Sequence, residues 1–453
     1  MKKFLLFLSD VAALFGALLV TLYLRYGPTF SEKLGFHLAP FSIIFIVWLI
    51  IFYIANLYEP ATLRNNIHFY SSLLQTIIIS LVISVAFFYL IPLFNIAPKT
   101  NLAIFAAIFT GIEFAARWGF NNTFERKFKR SILIVGLNKQ AFELAQFIKI
   151  NPQLGYELKC VVDLNPEKID NEEEFRKFGI IQGLGNLEKQ IQNEKIDAIV
   201  ISPEAYQNSE TINICYKSLE KKISFFNLAS FYERLTGKVP LGAINQIWFL
   251  ENLSEGKKKG YEIIKRFFDT AFAITMGFIS LILYPFVALI VKLNSSGPVF
   301  YKQKRLGQSG KTFEIVKFRT MHKDAEKKTG AVWTTDNDLR VTGAGKFLRK
   351  TRLDEIPQIW NILRGEMSFV GPRAERPEFH DLLQKNVPFY EERYLIKPGL
   401  TGWAQINFHY GSSVDDAAEK LKYDLYYIKN RSLLLDLGII LKTIRITLKQ
   451  AGR

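Results

Sequence analysis

Five long apolar stretches limit what this chain can fold into more than any other feature. Residues 4–24, 41–57, 69–93, 102–118 and 267–291 are each close to the roughly 20 residues that carry a helix across a bilayer. A backbone in hydrocarbon must satisfy its own polar groups, so the stretches read as membrane helices. Composition agrees. Of 453 residues 49% are hydrophobic, and the mean hydropathy is +0.10, more apolar than a soluble chain of this length. The first run follows Lys2 and Lys3 and has no convincing small-residue cleavage site, so it reads as an anchor rather than a removed signal. The fourth carries Glu113 and Arg117, four apart on one helical face and placed to pair.

Charge orients the first four runs. Lys2 and Lys3 precede them, and Arg126, Lys127, Lys129 and Arg130 follow them. The positive-inside rule puts both ends in the cytoplasm, as four spans allow. The net charge of +16 suits anionic partners. Because the basic residues gather beside apolar runs, lipid head groups and phosphorylated substrates fit better than nucleic acid. Cys160 and Cys215 form neither a disulfide framework nor a metal-ligand spacing, and the five histidines are scattered.

After Arg130 the pattern changes. Residues 131–135 read as a buried strand ended by Gly136, 139–150 as a helix, 158–162 as a second strand, 187–194 as a helix and 198–201 as a third strand. Strand, helix, strand in this order means a parallel sheet of Rossmann type. The first turn, Gly136-Leu137-Asn138-Lys139-Gln140-Ala141, keeps one glycine of a dinucleotide fingerprint, and Asn138 would crowd a pyrophosphate. A regulatory or structural domain is the expectation.

The fifth apolar run has Lys257, Lys258, Lys259, Lys265 and Arg266 before it and Lys292, Lys302, Lys304 and Arg305 after it. Both flanks want the cytoplasm. Tyr284-Pro285 sits in its second half, where the proline predicts a sharp kink. A helix that enters, bends and returns satisfies both observations; a spanning helix with a tolerated proline remains open. At the other end of the chain, Leu433, Leu434, Leu437, Ile440, Leu441, Ile444 and Leu448 recur at helical spacing among Lys442, Arg445 and Lys449. That pattern suits a membrane surface or a core-packed helix equally.

Candidate chemistry lies between Phe300 and Gln405, where glycine-bounded loops bear Arg and Lys suited to phosphate groups. Asp354 and Glu355 stand just before Pro357 and a short helix, 358–363. The plain reading makes Asp354 a helix N-cap and Glu355 a surface acid. The other makes them a nucleophile and a metal ligand. A carboxylate can attack phosphorus if the phosphate charge is neutralised, and Arg349, Arg373 and Mg2+ on a second carboxylate would do that.

From Lys265 onward the chain resembles the monotopic phosphoglycosyl transferases, or bacterial sugar transferases. Six pieces occur in the family's order: Lys265-Arg266-Phe267-Phe268-Asp269, the run from Phe300 to Gly307, Lys317-Phe318-Arg319-Thr320-Met321, Leu353-Asp354-Glu355-Ile356-Pro357-Gln358, the run from Asn361 to Gly371-Pro372-Arg373, and Pro398-Gly399-Leu400-Thr401-Gly402-Trp403-Ala404-Gln405. The four spans and the α/β part resemble the family's long form, with undecaprenyl-phosphate hexose phosphotransferases among its members. The resemblance implies Asp354 as nucleophile, Glu355 as Mg2+ ligand, and Lys317, Arg349 and Arg373 near the substrate phosphates. It implies a re-entrant helix broken at Tyr284 and Pro285, where the family usually has Ser-Pro, so Tyr284 departs from the pattern.

The expected architecture is a membrane helical bundle (1–125), a Rossmann-like α/β domain (130–250) and an α/β monotopic catalytic domain (260–453) with a re-entrant helix at 267–291. The implied reaction moves a sugar 1-phosphate from a UDP-sugar to polyprenyl phosphate and releases UMP, on the cytoplasmic face of a bacterial inner membrane. Partners are the UDP-sugar, polyprenyl phosphate and membrane lipid, with a homodimer left open. A nucleotide-sensing scaffold of polysaccharide assembly is one alternative. An NAD-dependent sugar-nucleotide enzyme is another: Tyr261 and Lys265 have its Tyr-x-x-x-Lys spacing but stand at the apolar run.

Overall fold

The computed structural model describes residues 2–91, 99–126, 129–164, 179–183, 185–193, 195–253, 258–323, 325, 330, 338–408, 411 and 413–448. Expectations that touch Leu93, Lys127, Glu194, Lys257 and Lys449 lie outside them. The chain divides into two compact units, Met1–Leu228 and Ala229–Arg453.

The first unit opens with four long helices, α1 (Lys2–Tyr26), α2 (Phe30–Ile54), α3 (Ile67–Leu90) and α4 (Lys99–Arg126). Three helical stretches here, Lys2–Ile54, Ile67–Leu90 and Thr100–Thr123, are long and apolar enough to cross a membrane, as is Lys259–Asn294 in the second unit. This is a membrane protein. The bundle packs through aromatic rings: Phe45 stacks on Phe105 at 5.4 Å and Trp48 meets Phe109 edge-on at 5.2 Å. Phe4, Tyr23, Ile46 and Val82 face outward.

Glu113 and Arg117 do pair, and they do so with a third member. The Arg117 guanidinium donates to Glu113 Oε1 and Asp10 Oδ2, each at 2.6 Å, and to the Leu57 carbonyl at 3.0 Å. The three charged side chains are at most 1% exposed. One guanidinium thus ties α4 to α1 and to the turn that follows α2. Its five donors let it serve three acceptors in a dry setting.

The parallel sheet follows: β1 (Arg130–Val135), β2 (Tyr156–Asp163), β3 (Ile180–Gln182), β4 (Ala198–Ile201) and β5 (Ser224–Asn227), in the order β3-β2-β1-β4-β5. β1 and β4 are buried on both faces, as parallel strands under helices must be. The order reverses between β1 and β4, where such sheets take ligands, and there the turn after β1 lies close against Ser202. Gly136 has φ +90°, and a Cβ on it would stand 2.0 Å from Ser202 Oγ. Asn138 caps helix α5 (Lys139–Ile150) by accepting from the Ala141 N–H at 2.8 Å, and its amide donates to Glu204 Oε2 at 2.9 Å.

The sequence-based end of the α/β part at residue 250 falls inside the second unit. After β5 the chain leaves the sheet, and Val239, Leu241, Trp248 and Leu253 join a core with Ile315, Ile362, Phe369 and Leu425. The helix Lys259–Asn294 then runs unbroken through Pro285, where a sharp kink is expected from sequence. Packing spans the proline. Tyr284 meets Phe318 edge-on at 5.3 Å, and Val287 and Val291 sit with Phe318 and Leu348. Lys265, Asp269, Ala273, Ser280, Val287 and Val291 form one buried stripe along the helix, and Phe267, Phe278, Ile282 and Phe286 face outward.

Tyr261 and Lys265 both donate to Asp436 Oδ2 at 2.8 Å, which gives that pair a structural task and not a redox one. Asp436 belongs to the C-terminal helix Leu433–Leu448, which buries Ile439 and Lys442 and exposes Leu434 and Leu437. It therefore packs on the core by one face and keeps an apolar outer face.

The Arg117 cluster generates a prediction. Arg117→Leu leaves two carboxylates buried without a counter-ion and should cost about 3–5 kcal/mol. Thermal unfolding of the purified protein in detergent should show a large drop in midpoint, while Glu113→Gln, which keeps the Asp10 pair, should show a smaller one. Equal midpoints for Arg117→Leu and the parent chain would refute the role given to the cluster.

Candidate active site

The site is built on an antiparallel hairpin, β6 (Phe300–Leu306) and β7 (Thr312–Phe318), and on the elements packed beside it. The helix Gly343–Thr351 starts at Thr342, whose hydroxyl accepts from the Gly345 N–H at 2.9 Å. It lies so close to the chain after β7 that a Cβ on Gly345 would stand 2.0 Å from the Thr320 carbonyl oxygen. This approach lets Arg349 reach back and donate to Thr320 Oγ1 at 2.9 Å.

The helix ends at Arg352, which takes the left-handed conformation with φ +59°. That reversal turns the chain directly into a 3-10 helix, Leu353–Gln358, carrying both acids inward. Asp354 and Glu355 are each 7% exposed. Asp354 caps no helix and Glu355 is no surface acid, so the plain reading of both fails.

Glu355 is held by three cations. Arg373 approaches Oε1 at 3.0 Å, Lys317 the same oxygen at 3.4 Å, and Arg352 reaches Oε2 at 3.6 Å. Burial alone would raise its pKa. Arg373, Lys317 and Arg352 outweigh burial and hold it well below the usual carboxylate range. Asp354 behaves oppositely. Burial first, and then the charge of Glu355, push it up to about 6 against the pull of Lys317, Arg349 and Arg352. Its Oδ1 is buried without a hydrogen-bond partner. The Lys317 ammonium is pushed down by burial, with Glu355 opposing.

Arg373 enters from β8 (Ser368–Val370), which pairs in parallel with β9 (Gly399–Thr401). The two backbones touch: a Cβ on Gly399 would stand 2.0 Å from the Gly371 nitrogen. Two further arginines fix the segment. Arg393 donates to the Arg373 carbonyl at 3.0 Å and pairs with Asp424 at 3.0 Å. Arg305 donates to the Ala374 carbonyl at 3.0 Å, and burial, then Arg373, push its pKa down to about 10.

All five residues singled out from sequence for chemistry thus come together, Asp354, Glu355, Lys317 and Arg373 most closely, with Arg349 beside Asp354. Sequence reasoning missed Arg352, Arg305 and Arg393. It also missed Asn361, a buried hub whose amide donates to the Glu314 carbonyl at 2.7 Å and to Glu366 Oε2 at 2.8 Å, and whose Oδ1 accepts from the Val316 N–H at 3.2 Å. Asn361 keeps β7, and so Lys317, in register with the acidic turn. A buried polar residue inside an apolar helix was the signal available.

Among the described residues no three His, Cys, Asp or Glu side chains gather into a metal cage. Mg2+ does not need one. It is commonly held by one or two carboxylates plus substrate phosphates, and Glu355 beside the unpartnered Asp354 Oδ1 fits that demand. The arrangement can receive a polyanion, neutralise it and present a buried carboxylate to it.

The model of a family described as bacterial sugar transferase matches residues 260–450. The chain is 39% identical over 230 residues to a UDP-N-acetylgalactosamine-undecaprenyl-phosphate N-acetylgalactosaminephosphotransferase of Aeromonas hydrophila, covering 51% of this chain and 53% of that protein. It is 30% identical to the UDP-glucose:undecaprenyl-phosphate glucose-1-phosphate transferase of Xanthomonas campestris pv. campestris, over 69% of this chain and 65% of the relative. The chain thus spans between half and two thirds of the length of these two relatives. A third relative, the exopolysaccharide production protein PSS of Rhizobium leguminosarum bv. phaseoli, is 37% identical over 40% of this chain and 94% of its own length. A relative matched over nearly its whole length, together with a family match from the long helix to the C-terminal one, shows that the chain belongs to the bacterial sugar transferase family.

Proposed function

We propose that this protein transfers a sugar 1-phosphate from a UDP-sugar to undecaprenyl phosphate, releasing UMP, as the priming step of a surface polysaccharide. The observation that carries the reading is the buried Asp354–Glu355 pair ringed by Lys317, Arg349, Arg352 and Arg373. The relatives' named reactions support it.

The chemistry follows from the two environments. The Asp354 carboxylate attacks the phosphorus nearer the sugar. The bond from that phosphorus to the bridging oxygen breaks, UMP leaves with the oxygen, and an acyl phosphate remains on Asp354. A phosphate oxygen of the lipid then attacks the same phosphorus, which returns the carboxylate and forms a polyprenyl diphosphate sugar. Arg373 and Lys317 hold Glu355 in place, and Arg349 and Arg373 offset the charge that builds on the phosphates. Mg2+ bound to Glu355 would neutralise the diphosphate and improve the leaving group. Two steps through one small site admit a soluble and a lipid substrate in turn.

The helix Lys259–Asn294 brings the lipid to the site in this reading, as a re-entrant element of the inner membrane with both ends cytoplasmic. Thirty-six residues of helix measure about 54 Å, well beyond a hydrocarbon core of roughly 30 Å. Its early residues bind the catalytic unit through Lys265 to Asp436 and through Asp269, which accepts from the Phe369 N–H at 3.2 Å. Its late residues bind the same unit through Val291 and Asn294, whose side chain accepts from the Ala344 N–H at 3.3 Å. A helix anchored to one unit at both ends does not leave that unit on the far side of a membrane.

Two experiments test this. Asp354→Asn keeps the shape and removes the nucleophilic charge, so UMP release from a panel of UDP-sugars with polyprenyl phosphate and Mg2+ should vanish; substantial turnover would refute the mechanism. Single cysteines at Lys259 and Lys292 should both react only from the cytoplasmic side of sealed vesicles, since Cys160 and Cys215 are buried. Periplasmic labelling of the Lys292 position would refute the topology.

A further inference from the structure

A second basic site lies far in sequence from the acidic pair, in the first unit. A cleft of about 360 Å³ opens where α5 ends and β2 begins. It is lined by Lys129, Lys149 and Lys159 together with the apolar Ile148, Pro152 and Leu158. One acid, Glu157, lies in it and pairs with Lys159 at 3.0 Å. Lys129 and Lys149 stand exposed.

The cleft's place in the fold identifies the ligand. Ligands of parallel α/β sheets bind at the carboxyl ends of the strands. This cleft is at the opposite end, since Lys129 precedes β1 and Tyr156 begins β2. It is also the end tied to the membrane helices. Lys2, at the start of α1, donates to the Leu154 carbonyl at 2.8 Å. Gln153 donates to the Ala61 carbonyl at 2.8 Å, and Arg64, just before α3, donates to the Ile150 carbonyl at 2.6 Å. Lys129 follows the end of α4 by three residues, about 10 Å of chain. The cleft therefore lies at the end of the sheet that is hydrogen-bonded to the ends of the apolar helices. Lysines beside apolar side chains match a phosphate with glycerol and acyl carbons attached.

We propose that this cleft binds the head group of an anionic phospholipid, fixing the α/β domain against the membrane surface. Two of its lysines are exposed and near the surface, where each contributes roughly 1 kcal/mol of attraction to anionic lipid.

The test uses the full chain in nanodiscs of phosphatidylcholine with phosphatidylglycerol, released into native mass spectrometry. The parent protein and a control, Lys139→Ala/Lys189→Ala, should retain phosphatidylglycerol. Lys129→Ala/Lys149→Ala should lose it, by about fivefold for each lysine removed. Lys149→Arg keeps the charge and should retain the lipid. Equal retention by the parent and Lys129→Ala/Lys149→Ala overturns the proposal. So does displacement of the lipid by inorganic phosphate or UDP alone, which would make this a soluble-anion site.

Discussion

Two neighbouring carboxylates can be buried side by side only when cations bear the cost, and the catalytic unit is organised around that constraint. Glu355 takes three basic side chains from three directions: Lys317 from β7, Arg352 from the turn and Arg373 from the β8 segment. These satisfy Glu355 and leave Asp354 with a raised pKa and an unpartnered oxygen. One acid is thereby fixed and charged while its neighbour keeps free lone pairs in a dry place. Environments that push two adjacent titratable groups apart give them different chemical roles.

The surrounding structure serves this arrangement. Gly345 and Gly399 allow backbones to touch where a side chain would hold them apart, and each contact positions an arginine. Asn361 registers β7 with the acidic turn. Arg393 and Arg305 grip the consecutive carbonyls of Arg373 and Ala374, so the orientation of the Arg373 side chain is set by its own backbone being held. The helical bundle solves the same kind of problem in Arg117 with Asp10 and Glu113.

Much of this was legible in the chain. The apolar runs and the parallel-sheet pattern are periodic signals, and α1 to α4 and β1, β2 and β4 follow them, whereas the short strands β3 and β5 carry too few residues to show a pattern. The acids and Lys317, Arg349 and Arg373 stood out because their motifs occur in a family's order, not because any one motif is specific. Arg352, Arg305 and Arg393 were not legible, since nothing local distinguishes a buried arginine from a surface one. Arg305 and Arg393 are held by Ala374 and Asp424, remote in sequence, and Arg352 reaches Glu355 only because the chain reverses at its own left-handed backbone. Pro285 lies inside a continuous helix, with packing on both sides of it. Trp248 and Leu253 have apolar character that suits either core, so sequence alone does not say that they pack with Ile315 and Leu425.

The central claim is that Asp354 becomes covalently phosphorylated by the sugar phosphate before the lipid arrives. Intact-protein mass spectrometry after mixing with UDP-sugar and Mg2+, without lipid, tests it most directly. The account predicts UMP release together with a phosphohexose-sized mass increase that peptide mapping places on Asp354 and that added polyprenyl phosphate discharges. An unmodified protein, with UMP appearing only when both substrates are present, would contradict it.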